Sequence, residues 1–226
     1  MTKALFKCRR CGNCCRKGGP ALHAEDLRLI LDERAIGLED LVTYRLHEAV
    51  YDQPSEQVIL LDKEMVKIRP IADGKPCVFY NHKGRECGIY ESHPLECREL
   101  ECTDTDKIEA IYNVGRINRR HIIKKDHPLR ELMDGHDEHC AIGTVHELAQ
   151  ELDSAEELED KARVWTKLSA ILEYDENMRK MVQERLELSP EALGFLFGRP
   201  VESIFLELGI KTLMNEDGSR RFVILK

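Results

Sequence analysis

Apolar residues recur at helical spacing through much of the chain, and the places where that rhythm breaks mark its elements. Leu27, Ile30 and Leu31 predict a helix over residues 23–35, with Gly37 as its stop. A second helix is predicted over residues 38–50. Over residues 57–71 the rhythm changes. There β-branched and apolar residues flank Asp62, Lys63 and Glu64, predicting a β-hairpin that leads into Cys77, with a turn at Asp73 and Gly74.

Helical spacing returns over residues 105–120 and 127–134. Ser154 followed by Glu157 reads as a capping box opening a long helix, one face of which carries Leu158, Ala162, Trp165, Leu168 and Leu172. Such a stripe is core packing rather than a cofactor box. Shorter helices are predicted over residues 190–197 and 201–208, and residues 211–214 and 222–225 flank a turn at 215–219 as a terminal hairpin. The sum is an α+β fold, predominantly helical, in which a cysteine-rich region of short strands and loops packs with a helical C-terminal part.

Cysteine usage divides the chain. Of nine cysteines, eight fall between residues 8 and 102, the ninth is Cys140, and none follows. This predicts a cysteine-cluster metal-binding region over residues 1–140 and a helical region over residues 141–226, packed on the first. At 226 residues the chain can bury a real core, so metal is not demanded by small size. The net charge of −8, with acids and bases interspersed, leaves no broad basic field and argues against nucleic acid as a partner. No run approaches the ~20 apolar residues that span a bilayer, which argues against a membrane. Few apolar residues precede Cys8, too few for a signal peptide, so the expected location is the reducing cytoplasm. Thiol clusters there bind metal or catalyse more often than they form disulfides. A protein partner stays open.

The strongest local signal is Cys8-Arg9-Arg10-Cys11-Gly12-Asn13-Cys14-Cys15, where two-residue gaps let successive thiolates turn toward one centre and Gly12 permits the tight path between them. The same gaps open the bacterial ferredoxin run around a [4Fe-4S] cube, although the fourth cysteine and proline of that run are absent. Cys14 and Cys15 are adjacent, so their side chains are expected to diverge, one of them reaching a second metal or sitting outside the ligand set. A second group, Cys77, Cys87 and Cys97, has nine residues between neighbours, a spacing suited to ligands on loops between short elements. Val78, Phe79, Ile89 and Tyr90 are expected to wall it with apolar surface. Cys102 and Cys140 are further candidate ligands.

These residues carry a resemblance. Cys8 with the CGNCC run, then the PCVFY, GRECGIYE and HPLECR segments, resemble the CxxCxxCC cysteine-cluster family of zinc- or iron-chelating domains, which includes relatives of flagellin lysine N-methylase. The likeness covers roughly residues 8 to 102. It implies metal or cluster binding by Cys8, Cys11, Cys14, Cys15, Cys77, Cys87 and Cys97, with Ile89 and Tyr90 packed beneath the site. It also raises lysine methylation as a candidate reaction. The chain departs from the family at His93, where arginine commonly precedes the proline.

Other chemistry finds less support. No GxGxxG follows a strand, and CxxxCxxC is missing, so neither a Rossmann-type methyltransferase nor the usual radical enzyme is indicated. His136, Asp137, Glu138, His139 and Cys140 form the densest other patch of ligand types, read either as a mixed site or as solvated residues around a helix end. Arg9-Arg10 and Arg16-Lys17 are expected to offset thiolate charge, while Arg119-Arg120 and Lys124-Lys125 read as solvated surface. The leading expectation is an iron-sulfur cluster, a [4Fe-4S] cube above others, or iron, in electron transfer, sensing or an unassigned reaction. The alternatives are a zinc-stabilised protein-interaction module and a lysine N-methylase-like enzyme.

Overall fold

The computed structural model describes residues 8–72, 75–215 and 220–225. Its helices are α1 (Leu27–Leu31), α2 (Leu95–Glu99), α3 (Asp106–Ile111), α4 (Arg119–Ile122), α5 (Pro128–His139), α6 (Ile142–Ser154), α7 (Leu158–Leu186), α8 (Pro190–Leu196) and α9 (Val201–Glu207). The strands are β1 (Leu41–Tyr44), β2 (Ala49–Asp52), β3 (Gln57–Leu60), β4 (Met65–Ile68), β5 (Pro70–Ala72), β6 (Lys75–Cys77), β7 (Tyr80–Asn81), β8 (Glu86–Cys87), β9 (Ile210–Met214) and β10 (Arg220–Ile224). Each strand has a single antiparallel partner. The α+β, predominantly helical expectation holds.

The helix predicted over residues 38–50 is not there. A 3-10 turn at Leu38–Asp40 leads instead into β1, whose Leu41 pairs with Ile68 of β4, and then into β2. Leu41, Val42 and Thr43 are all buried, a two-faced burial that suits a strand pinned between neighbours, and the Thr43 hydroxyl donates to the Phe195 carbonyl at 2.6 Å. The spacing of apolar residues fitted a helix, and tertiary pairing overrode it.

Strands β3 and β4 lie within residues 57–71 as expected but do not pair with each other. β3 pairs with β2 and β4 with β1, so the segment is half of a longer, interrupted ribbon. The expected turn at Asp73 and Gly74 lies outside the described residues. The first predicted helix is also shorter. A 3-10 turn at Ala24–Asp26 runs into α1, and Arg34, not Gly37, adopts the left-handed conformation that ends it. Residues 105–120 break in the same way. Gly115, at φ +70°, turns the chain so that the Ile117 amide reaches the Leu22 carbonyl.

Farther on, α5, α8 and α9 fall where helices were predicted, and α6 was not foreseen. Ser154 ends α6 by donating to the Glu151 carbonyl, and Glu157 precedes α7 without a side-chain cap, so the capping box does not form. The buried stripe of α7 is Val164, Leu168 and Leu172, with Leu158 81% exposed. β9 and β10 form the terminal hairpin, with most of its predicted turn outside the described residues.

Two large apolar cores and a small third cluster of Ala21, Leu61 and Met65 result. Leu22, Leu29, Leu41, Val66, Ile68, Ile117 and Met133 join Phe195, Leu196 and Phe197 in the first; α6, α7, α9 and β9 meet in the second around Leu148, Leu168, Leu172 and Phe205. Buried charge ties the parts together. Arg119, expected at the surface, is 1% exposed, pairing with Glu64 and Asp137 and donating to the Leu196 carbonyl. Arg45 donates to the carbonyls of Cys140 and Arg199. Among the described residues no helix is long and apolar enough to cross a membrane.

Candidate metal centre

The loop carrying Cys8, Cys11 and Cys14 is shaped by its backbone. Arg10 and Gly12 both take positive φ, and a Cβ on Gly12 would strike the Tyr80 ring, so glycine is required there for conformation and for close approach. Arg16 fastens the loop, donating to the Tyr80 hydroxyl at 3.2 Å and to Asn13 Oδ1 at 2.5 Å. Cys15 opens a 3-10 turn, Cys15–Lys17, closed by Lys17 N–H donating to the Cys14 carbonyl.

The expected divergence of Cys14 and Cys15 is not seen. Cys14 is already in the right-handed helical region, where successive side chains are separated by about a third of a turn rather than the half turn of a strand. Their Sγ atoms are 4.0 Å apart.

The second group reaches the same place from separate elements. Cys77 ends β6, Cys87 ends β8 opposite Tyr80, and Cys97 lies in α2. Val78, Phe79 and Ile89 pack against the first core beside them, the apolar wall that was expected. Tyr90 stacks on His93 with ring centroids 5.0 Å apart, and the Arg10 guanidinium covers the other ring neighbour position at 3.9 Å from the Tyr90 centroid. His93 is thus a packing partner on the wall of the site.

The thiols act on one another. Hydrogen bonding from Cys15, with help from Lys17, lowers the Cys14 thiol to about 6 against the cost of burial, and Cys15 is raised in turn. Burial pushes Cys77 up to about 11, with Cys87 and Cys14 adding to it. Cys97 is raised well above the usual thiol range by burial, then by Cys77, Cys14 and Cys87. Burial and the charge of Cys8 raise Cys87, partly opposed by Arg10; burial and the charges of Cys11, Cys14 and Cys8 raise Cys102, partly opposed by Arg9. All eight cysteines between residues 8 and 102 therefore share one electrostatic neighbourhood. Six of them, Cys14, Cys15, Cys77, Cys87, Cys97 and Cys102, line a single cavity of about 1310 Å³.

Cys140 stands apart. The charges that act on it are Asp175, Arg45, Arg179 and Asp137, none of them a cluster thiol, and burial pushes it to about 12. With His136 and Asp175 it forms a fully buried group whose ligand-type atoms lie within 4.8 Å of one another. The Asp175 carboxylate there is already engaged by His136 Nε2 at 2.7 Å, Arg179 Nε at 2.8 Å and the Val201 amide at 3.1 Å. The rest of the candidate patch disperses. Asp137 pairs with Arg119, and His139 stacks on Tyr174 at 4.2 Å.

Sequence reasoning passed over the residues that hold the cavity's inner wall. Glu96 accepts the Ala21 amide at 2.9 Å and faces His23 Nε2 at 3.3 Å, while Asp26 accepts the amides of His23 and Leu95. These contacts lock the start of α2, and with it Cys97, onto the segment around His23. The available signal was position: Glu96 sits inside the HPLECR segment, directly before Cys97.

Thiolates are soft donors that select zinc, iron and iron-sulfur centres over hard cations, and this wall of thiols fits such a group. A family model titled CxxCxxCC, "Putative zinc- or iron-chelating domain", matches residues 7–140, more than half of the chain. No curated protein and no solved structure matches the chain. The chain belongs to the CxxCxxCC family of zinc- or iron-chelating domains, and metal binding is its role.

Proposed function

We propose that Cys8, Cys11, Cys14, Cys15, Cys77, Cys87 and Cys97 together hold a polynuclear iron or iron-sulfur centre, with Cys102 at its edge, serving electron transfer, sensing or a reaction on a molecule in the adjoining cavity. The supporting observation is number and place. More thiols share the neighbourhood than the four a single tetrahedral ion takes, and six of them line a cavity. The centre would supply redox or Lewis-acid chemistry there. The chain's own residues hold the thiols in position and, through Lys17 and Arg10, balance part of their charge. Anaerobic purification tests this: the expected protein is brown, with broad visible absorption, iron and acid-labile sulfide. A colourless protein containing zinc alone overturns it.

One observation favours a second reading. A tetrahedral ion with Zn–S bonds of ~2.3 Å sets its sulfurs ~3.8 Å apart, near the 4.0 Å between Cys14 and Cys15. A zinc-stabilised interaction module would then lose its fold on chelation. A metal-free protein that keeps its native circular dichroism excludes that account.

A further inference from the structure

The cavity walled by the cysteines continues to a second wall that carries no thiol, formed by Lys67, Glu96 and Arg116 with Tyr44 and Tyr112 beside them. Its charges do not balance. His23 has an acceptor on each ring nitrogen, the Val114 carbonyl at 2.8 Å and Glu96 at 3.3 Å, an arrangement that favours the imidazolium. Glu96 is the one carboxylate on this wall, and behind it the buried Asp26, which accepts the His23 amide at 3.0 Å, shares the His23 charge.

Two cations on this wall are loosely partnered. Arg116 comes no nearer to Glu96 than 3.7 Å, points Nη1 at the Met65 sulfur, and keeps a buried Nε with no partner. Its guanidinium lies 4.2 Å from the Tyr112 ring centroid. The Lys67 ammonium has no hydrogen bond or ion pair among the described residues, only the Tyr44 ring at 5.9 Å. Other acids on the lining are engaged elsewhere or lie outward. Glu64 pairs with Arg119 and Glu101 with Lys107, while Asp52 takes the amide and hydroxyl of Ser55 and also feels the charge of Arg116. Asp62 is exposed, as are Lys17 and Lys63.

Partly buried cations held this loosely, Arg116 at 3.7 Å from Glu96 and Lys67 with no direct partner among the described residues, are costly unless something closer supplies a counter-charge. The same cavity has apolar lining too, Val50, Ile59 and Leu60 from the ribbon β2–β3 joining the tyrosines. We infer that this wall is a binding site for a small organic anion, a carboxylate or phosphate ester on an apolar or aromatic body, whose acid group is held by Lys67 and Arg116. The anion would lie in the cavity that the metal centre also faces. The site goes beyond the metal-binding role and does not depend on which metal the cysteines hold.

Calorimetric titration of the protein as purified tests it with phenyl phosphate, benzoate and neutral benzyl alcohol as probes. At least one anion is expected to bind and benzyl alcohol to bind more weakly; the stronger anion tells phosphate ester from carboxylate. Lys67→Met should weaken that anion by ~10-fold or more, the size of one charge-assisted hydrogen bond, and Lys67→Arg should restore much of it. Arg116→Gln, which keeps a polar planar group, gives the same test if Lys67→Met fails to fold. Metal content should be unchanged in each variant. Equal binding of benzyl alcohol and both anions, no anion binding, or a Lys67→Met variant that binds like the parent overturns the site. Anion binding lost on metal removal but indifferent to Lys67 and Arg116 also overturns it, placing the anion on the metal.

Discussion

Cys15 Sγ lies 4.0 Å from Cys14 Sγ, and the hydrogen bond between them leaves Cys14 the thiolate of the pair. One ligand is thereby charged before metal arrives. With its thiol lowered to about 6, Cys14 in metal-free protein is roughly nine-tenths thiolate at pH 7, whereas Cys77, pushed up to about 11, is ionised to ~1 part in 10⁴. Brief iodoacetamide treatment of metal-stripped, reduced protein followed by peptide mass analysis should therefore find Cys14 modified well ahead of Cys77 and Cys97. Cys15→Ala removes the donated hydrogen bond and should slow labelling of Cys14. Equal labelling of Cys14 and Cys77 would show that the pair does not share a proton in this way.

Two buried histidines should titrate in opposite directions. Burial works against the His23 cation, but the hydrogen bonds to Glu96 and the Val114 carbonyl outweigh it and raise its pKa above 6.5. His136 has one charged partner, Asp175, and a buried Nδ1 with none, so burial prevails and lowers it below 6.5. The signs follow from linkage. The contribution of His23 to stability is fully present below its unfolded value and is lost as pH rises through the raised folded one. For His136 it is present above the unfolded value and lost as pH falls through the lowered one. Nuclear magnetic resonance of the imidazole nitrogens followed through pH should find His23 titrating above 6.5 and His136 below it. In the His23→Gln variant the decline in stability above pH 6.5 should flatten. Both rings titrating together would contradict the assignment.

How far the chain could be read in advance follows from where its contacts lie. The cysteines of the first arm could be picked out because their spacing is local, whereas the regular gaps among Cys77, Cys87 and Cys97 pointed to loops between short elements and the thiols sit on β6, β8 and α2 themselves. Residues 38–50 misled because Leu38, Leu41, Val42 and Leu46 fit helical spacing. What decides the matter is β4, more than twenty residues along the chain from β1. The inner wall was invisible for the same reason. His23, Lys67, Glu96 and Arg116 come from separate segments that only the folded chain unites, and each reads singly as an ordinary polar residue. Arg119 was taken for surface because it stands beside Arg120 in a basic pair. Its neighbours Glu64 and Asp137 come from either side of it in sequence, 55 and 18 residues away.

That burial makes Arg119 a sensitive point for stability. Its guanidinium pairs with Glu64 and Asp137 and donates to the Leu196 carbonyl, tying α4 to α5 and α8. Arg119→Met keeps much of the side-chain volume but leaves Asp137 and the Leu196 carbonyl without this donor and Glu64 with only the backbone amide of residue 119. Both carboxylates are partly exposed, so solvent recovers some of the loss, and the expected destabilisation is ~2–4 kcal/mol. Urea denaturation followed by circular dichroism should show the midpoint fall with the slope unchanged. A midpoint matching the parent would mean the pairs contribute nothing net. Arg120→Met, which removes an exposed pair with Asp134, should cost under ~1 kcal/mol and serves as the comparison.

The single tryptophan offers a spectroscopic reading of the chain's end. Trp165 on α7 stacks on Phe222 of β10, ring centroids 4.8 Å apart and planes 3° from parallel, and Phe222 in turn meets Phe205 edge-on at 6.2 Å. The hairpin is thus docked on the second core through Ile210 and Phe222, with Arg220 pairing to Glu176 beside them. Phe222→Ala should expose the indole, shift its emission to longer wavelength and destabilise the protein by ~2–4 kcal/mol, the lower part of the range for a large aromatic truncation because Phe222 is only partly buried. Phe222→Leu retains apolar contact without the stacked plane and should fall between the two. None of the cysteines from 8 to 102 belongs to this core, so metal content should be untouched in both variants. Emission that stays at the parent wavelength in Phe222→Ala would show that the hairpin does not shield Trp165.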